Sequence, residues 1–272
     1  MSDELAPEGI DTTRPSAARI YDYFLGGTDN FACDRQAAER IIALGEEEGF
    51  DVRRIIAANR AFLGRVVREL AEAGVRQFLD LGAGLPTGEN VHQIVRGVAP
   101  ESKVVYVDND PIVLVHARAL LAGDERAIVV EGDLREPHRI LGDPAIRAQL
   151  DFSRPVAILV LALFHFFADD EEVAGMIAPL REALPSGGYL AISHGYSPHA
   201  PQDKMEESRT IYRKTSAGDI VHRRPEVIAG FMRGFELLEP GIVPVEMWRP
   251  RAGEDAGDPD HSGYLGVVGR LP

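Results

Sequence analysis

The stretch Phe78-Leu79-Asp80-Leu81-Gly82-Ala83-Gly84 decides the fold of this chain. An apolar run enters two glycines, and a helical pattern follows with Val91, Ile94, Val95 and Val98 on one face. That order reads as strand, tight turn and helix. Glycine at the turn allows the sharp bend and lets a ligand lie against bare backbone. Outward from it, Lys103–Asp108 reads as a second strand that ends on a carboxylate. Asp110 then caps a helix with Pro111 at its first position, running to Leu121. Ala127–Glu131 is a third strand, followed by Gly132-Asp133. Pro155–Leu163 is continuously apolar, as expected of a central strand covered on both faces. Asp169-Asp170 opens a helix to about Leu184, with Glu171 and Glu172 in a first turn that favours acids. Tyr189–His194 is a fifth strand, Pro225–Met232 a helix, and strands near Phe235–Glu239 and Tyr264–Gly269 complete the series. Strands alternating with helices argue for an α/β chain built on a parallel sheet.

Residues 1–75 have a different texture, with no convincing strand. Ile20, Tyr23 and Phe24 form a short helical face stopped by Gly26-Gly27. A second helix begins near Asp34, with Ala38, Ile41 and Ile42 turned inward. A third spans about Asp51 to Ala73, carries the stripe Val52, Ile55, Ile56, Asn59, Phe62, Leu63, Val66, Val67 and Leu70, and ends at Gly74. This is a helical arm with too little apolar face to stand alone. The polar segment 195–220, between strand five and the next helix, sits where a lid over an acceptor belongs; its Met205, Ile211 and Tyr212 are expected to face the pocket. The acidic, Gly-bearing stretch Arg251–Asp260 reads as a loop.

Composition narrows the function. The chain has 272 residues, 45% of them hydrophobic, which excludes disorder as the default state. One cysteine, Cys33, excludes a disulfide scaffold and suits a reducing, cytoplasmic compartment. No apolar run approaches the ~18 residues of a membrane span, and the acidic N-terminus lacks the apolar segment of a secretory signal. A formal charge of −14 repels phosphate backbones, so no nucleic-acid partner is expected. The small basic clusters Arg209–Lys214 and His222–Arg224 are read as solvated surface.

The acid ending the second strand can accept both hydroxyls of a ribose, and Asp133 lies where a carboxylate can reach an adenine amino group. Together with the glycine bend they predict an adenosine-type ligand over the carboxyl ends of the strands. A nicotinamide dinucleotide fits less well. Its fingerprint needs a third glycine where this chain has Thr87 after Pro86, and no Tyr-x-x-x-Lys pair is present.

Asp80-Leu81-Gly82-Ala83-Gly84, Val107-Asp108-Asn109-Asp110-Pro111 and Glu131-Gly132-Asp133 resemble the cofactor motifs of class I S-adenosylmethionine-dependent methyltransferases. Leu161-Ala162-Leu163-Phe164-His165-Phe166, Gly187-Gly188-Tyr189-Leu190 and the run from Arg224 to Phe235 resemble their later segments, in the right order over residues 76–269. The arm sequence from Pro15 to Gly27, with Asp29-Asn30-Phe31 and Asp34, is similar to an actinobacterial S-adenosyl methyltransferase family once described only as a domain of unknown function. The resemblance implies a Rossmann-like, mostly parallel seven-stranded sheet with helices on both faces over residues 76–272, an N-terminal arm over 1–75, and S-adenosylmethionine as cofactor, leaving S-adenosylhomocysteine. It implies no acceptor. A covered pocket favours a small molecule over a protein.

Methyl transfer from a sulfonium is an in-line displacement, so alignment and exclusion of water matter more than proton transfer. Within this frame Asp108, Asn109, Asp133 and Leu134 are expected around the adenosine. Gly82, Ala83 and Gly84 run under the methionine, whose ammonium Asp80 accepts. Ala162 and Leu163 wall the site after strand four. From the arm, Tyr21 offers a ring face to the sulfonium, and Asn30 and Arg19 reach the methionine carboxylate. His165, among Phe164, Phe166 and Phe167, is the candidate general base, ahead of His194. No histidine pair has metal-ligand spacing, so no metal is expected. Two other readings remain: a catalytically silent S-adenosylmethionine-binding regulator and, ranked lower, the nicotinamide-dependent oxidoreductase. Asp108→Ala removes the ribose acceptor and should weaken cofactor binding by about 1.5–3 kcal/mol in calorimetry. An unchanged dissociation constant refutes the assignment.

Overall fold

The computed structural model describes residues 10–197, 199–254 and 261–272. The acidic stretch 1–9, Pro198 of the expected lid and positions 255–260 of the expected loop lie outside the described residues. The chain opens with three helices, α1 (Ala17–Phe24), α2 (Ala32–Glu47) and α3 (Val52–Glu72). Then come β1 (Gln77–Leu81), α4 (Val91–Val98), β2 (Lys103–Asp108), α5 (Pro111–Leu120) and β3 (Ala127–Glu131). Two short helices follow, α6 (Pro137–Gly142) and α7 (Pro144–Gln149), before β4 (Ala157–Leu161), α8 (Asp170–Ala183) and β5 (Tyr189–Gly195). The remainder is α9 (Gln202–Tyr212), α10 (Pro225–Phe231), β6 (Glu236–Leu237), β7 (Val243–Pro244) and β8 (Tyr264–Arg270).

One sheet joins the strands in the order β3-β2-β1-β4-β5-β8-β6, with β7 also paired to β8. Strands β1 to β5 run parallel, and β8 runs antiparallel to β5. All seven expected positions are filled. The last holds two pieces, β6 and β7, of two residues each, so eight strands result. Between them the chain turns at Pro240, which has no N–H to give the ladder.

Side chains alternate across the sheet as a pleat requires. Phe78, Val104, Leu159 and Val268 join α3 and α4 on one face, while Leu79, Val105, Ile158 and Val267 join α8 and α10 on the other. Strand β4 is buried along its whole length, as its unbroken apolar sequence requires. Asp51 caps α3 by accepting from the Arg54 N–H at 3.0 Å, and Gly74 ends it at φ +97°. The stripe on α3 packs directly on the sheet: Phe62, Val66 and Leu70 share one apolar cluster with Phe78 and Leu159. Sequence patterning left residues 137–149 unassigned, and Pro137 and Pro144 open two helices of six residues there, too short for a clear period.

Helix α3 approaches the sheet closely at Gly266 on β8, where a Cβ would lie 2.7 Å from the Phe62 ring. Gly266→Ala should therefore destabilise the fold by about 1–3 kcal/mol through overpacking, read as a fall in the urea midpoint. A neutral result means α3 slides freely over β8.

Candidate functional site

The chain reverses direction across the sheet between β1 and β4, which are neighbours with β2 and β3 on one side and β5 on the other. Loops leaving the carboxyl ends of two strands diverge at such a point, and ligands of open α/β sheets bind in the resulting crevice. Here the crevice is a cavity of about 790 Å³, walled by α1, the loops after β1 to β4, the end of α9 and the start of β8. It lies within the usual ~300–1,000 Å³ of a small-molecule site.

The bend after β1 takes left-handed backbone at Gly82 (φ +74°) and Gly84 (φ +65°). A Cβ on Gly82 would strike the Leu163 side chain at 2.6 Å, whereas one on Gly84 would meet nothing within 4 Å. The first glycine thus fits β1 against the loop after β4, and the second leaves open backbone. Across the crevice Ala162 also has positive φ, +52°, unusual for a residue with a Cβ. Its N–H donates to the Ser193 hydroxyl at 2.9 Å, a bond from β5 that holds this strained wall.

Asp108 closes β2 with both oxygens engaged. Oδ2 accepts from the Gly84 N–H and Oδ1 from the Asp110 N–H, each at 2.9 Å. These bonds lock the carboxylate to the bend and leave lone pairs for a diol. Burial still pushes its pKa up to about 6. Asp80 differs. It is 5% exposed and lines the cavity, yet among the described residues its carboxylate has no hydrogen-bond or ion-pair partner. Burial, reinforced by the charge of Asp108 and opposed by Arg60, raises it to about 7. A desolvated carboxylate facing a cavity is chemically incomplete, and a cationic or hydrogen-bond-donating group in the cavity would complete it. Arg60 on α3 holds Glu89 O at 2.9 Å and Asn90 Oδ1 at 3.2 Å through Nη2, while its buried Nε has no partner. Asn109, Asp133 and Leu134 also line the cavity. Asp133 accepts from the Arg135 guanidinium and from Asn109 Nδ2, which holds it down at about 2, ionised throughout the physiological range.

The arm closes the crevice by specific bonds. Ser16 Oγ donates to Asp110 Oδ2 at 2.6 Å, Thr87 Oγ1 to Asp22 Oδ1 at 2.5 Å, and Arg14 Nη2 to Thr215 O at 2.7 Å. A Cβ on Gly27 would overlap the Asp22 carboxylate, so the Gly26-Gly27 turn folds tightly over that acid. Tyr21 lines the cavity, its hydroxyl accepting from Asn59 Nδ2 at 2.9 Å.

Several expectations need correction. Arg19 lines the cavity but is buried, with Nε on Asp34 Oδ2 at 2.8 Å and its other nitrogens donating to the carbonyls of Asp11 and Arg14, so its main bonds brace the arm. Asn30 does not line the cavity; Nδ2 donates to Asp22 Oδ2 and Gly27 O, each at 3.0 Å, holding the glycine turn. His165 does line the cavity. Burial, with His194, His222 and Arg223 nearby, keeps it well below 6.5 and therefore neutral. Its Nδ1 accepts from the Gly195 N–H at 3.3 Å, which places the ring hydrogen on Nε2 as a donor. His194 is also spent: Nε2 accepts from Arg223 Nη1 at 2.9 Å. Arg223 itself, expected on a solvated patch, is 6% exposed and pairs with Asp170 at 2.6 Å. Of the expected lid residues, Tyr212 reaches the cavity, and Met205 and Ile211 do not. Sequence reading missed Asn59, Arg60 and Tyr264 as wall residues. A lone asparagine inside an apolar helical stripe was the available signal for the first two; nothing local marks Tyr264.

Two acids, Asp80 and Asp108, and a glycine bend line one crevice at the carboxyl ends of the parallel strands, the arrangement of a Rossmann-like S-adenosylmethionine-dependent methyltransferase. The chain belongs to the S-adenosyl methyltransferase family, whose model matches residues 3–272. It is similar to a solved DUF574 family protein from Streptomyces avermitilis MA-4680, 41% identical over 96% of this chain and 99% of that one, with a TM-score of 0.89. It is likewise similar to a Thermobifida fusca YX protein provisionally assigned as a methyltransferase, 37% identical over 98% and 99%, with a TM-score of 0.88. An O-methyltransferase family protein from Burkholderia thailandensis, 20% identical over 81% of this chain and 60% of that one, shares the fold alone (TM-score 0.51). No curated protein matches the chain.

Asp80 makes the site sensitive to pH. The folded chain holds a proton there between its ordinary 3.8 and about 7 that the unfolded chain gives up. Its burial therefore weighs increasingly against stability as pH rises through that window, and fully above it. Asp80→Asn should raise the melting temperature of the cofactor-free protein at pH 8, by several degrees, and leave it unchanged near pH 4. The same variant should bind S-adenosylmethionine about 10- to 100-fold more weakly, the loss of a hydrogen bond to a charged group. A variant less stable at pH 8 would mean that Asp80 is paired inside the fold.

Proposed function

We propose that this protein transfers a methyl group from S-adenosylmethionine to a small molecule enclosed between the arm and the segment carrying α9. One observation carries the reading: a single cavity is lined by Asp80, by the bonded Asp108, and by Ala162, Tyr21 and Tyr212. When bound, S-adenosylmethionine supplies a methyl group activated by a sulfonium. Asp108 would accept from the ribose hydroxyls, Asp133 and Asn109 would face the base, and Leu134 would pack on it. Asp80 would hold the ammonium, and the carboxylate would fall to the Arg60 guanidinium and not to Arg19. Gly84 leaves the backbone open to the methionine chain, and the Tyr21 ring shields the sulfonium from water. Acids lining this cavity outnumber its arginines, which favours a cofactor that carries an extra positive charge over its neutral product.

A small acceptor is supported by enclosure. Arg14 ties the arm to Thr215, and the Ser216 N–H donates to Pro15 O at 3.1 Å, so a macromolecule would have to part these contacts. Net charge opposes a nucleic-acid substrate. A single cysteine accords with a cytoplasmic setting. No described helix is long and apolar enough to cross a membrane.

The test is incubation with methyl-labelled cofactor and a cell extract divided by dialysis. Label should appear in the dialysable fraction. Label confined to protein or nucleic acid sinks the small-molecule reading, and tight cofactor binding without any transfer favours the silent regulator.

A further inference from the structure

Part of the cavity wall is a cluster of aromatic rings. The His165 and Phe166 rings are 4.3 Å apart between centroids, Phe166 and Tyr212 are 5.8 Å apart, and His165 and Tyr264 are 5.9 Å apart. Tyr21 completes the wall. Its hydroxyl is occupied by Asn59, but among the described residues the hydroxyls of Tyr212 and Tyr264 have no hydrogen-bond partner. Tyr264 is only 8% exposed, so its hydroxyl lacks a partner unless the cavity provides one. The His165 Nε2–H is a third donor.

We propose that the methyl acceptor is a small, planar, uncharged aromatic molecule with a nucleophilic nitrogen, held against the Tyr212 and Tyr264 hydroxyls and the His165 Nε2–H. This rests on the methyl-transfer reading of the same cavity. Ring walls select a flat, apolar body. Of the arginines along the cavity, Arg19 braces Asp34, Arg135 pairs with Asp133, Arg14 holds the Thr215 carbonyl, and Arg60 is the one assigned above to the methionine carboxylate. With acids prevailing along the cavity, a carboxylate or phosphate on the acceptor would be repelled and left unpaired.

Nitrogen follows from the lack of a base. His165 offers a hydrogen, not a lone pair, and burial pushes the hydroxyls of the three tyrosines up, so that all stay protonated. A phenolic acceptor in this cavity would be held protonated in the same way. A protonated alkylamine has no lone pair to use. A heteroaromatic or arylamine nitrogen is neutral near pH 7 and attacks directly: its lone pair forms the N–C bond, the C–S bond breaks with its electrons remaining on sulfur, and the positive charge passes to nitrogen. Where that nitrogen bore a hydrogen, the proton leaves to water.

Calorimetry on protein loaded with S-adenosylhomocysteine tests this, with quinoline and aniline set against quinoline-2-carboxylate and benzoate. The neutral pair should bind at least about tenfold more tightly than the acids. Tyr212→Phe and Tyr264→Phe, which keep the rings and the packing, should each weaken that binding roughly 3- to 10-fold while leaving affinity for S-adenosylhomocysteine unchanged. Acids binding as well as the neutral rings, or neither set binding to loaded protein, overturns the proposal. Failure to load S-adenosylhomocysteine at all would instead overturn the cofactor assignment beneath it.

Discussion

A carboxylate withdrawn from water with nothing to pair it is an expensive element in any fold, and Asp80 is one. Held at about 7 in place of 3.8, its ionised form is on the order of 4 kcal/mol harder to reach than in water. The cost follows from position. Asp80 sits on β1 in register with Tyr106 of β2 and Leu159 of β4, on the face that α3 and α4 cover. The sheet that makes the crevice also dries the acid that lines it. Asp108, one strand away, is kept anionic more easily because two backbone N–H groups already serve it.

Helix α3 couples the scaffold to the site. Its apolar stripe fills the core against Gly266 and Leu159, and the same turns bring Asn59 and Arg60 to the cavity wall. The helices before β1 therefore pack into the apolar core on the sheet and line the cavity at once. Asp22 performs a comparable double task, gathering Asn30, the backbone of Asp29 and Thr87, so that the arm's glycine turn and the loop after β1 are fixed to one another.

Much of this was legible in order along the chain. Strands β1, β2 and β3 fall where the apolar runs ended, because each run is bounded by glycine, proline or a capping acid. Asp110 and Pro111 cap α5 as such a pair should. Asp80, Gly84, Asp108 and Ala162 converge because they all leave carboxyl ends of neighbouring parallel strands, a consequence of topology that a βαβ pattern carries. The arm was harder. Arg19 and Asn30 have the right chemistry for a carboxylate, but Asp34 and Asp22 lie within hydrogen-bonding distance and engage them first. His165 was legible as a buried ring and illegible as a donor, because the tautomer is set by a backbone N–H thirty residues away.

What the sequence determined by itself is local and periodic: which runs are strands, which helices they alternate with, where glycine must bend the backbone, and hence an α/β fold holding an adenosyl ligand. The tertiary structure alone decided which polar groups remain free. That is a question of competition among neighbours brought together from distant parts of the chain, and only packing settles that Asp80, Tyr212 and Tyr264 face the cavity without a partner among the described residues while Arg19, Asn30 and Arg223 make hydrogen bonds within the protein.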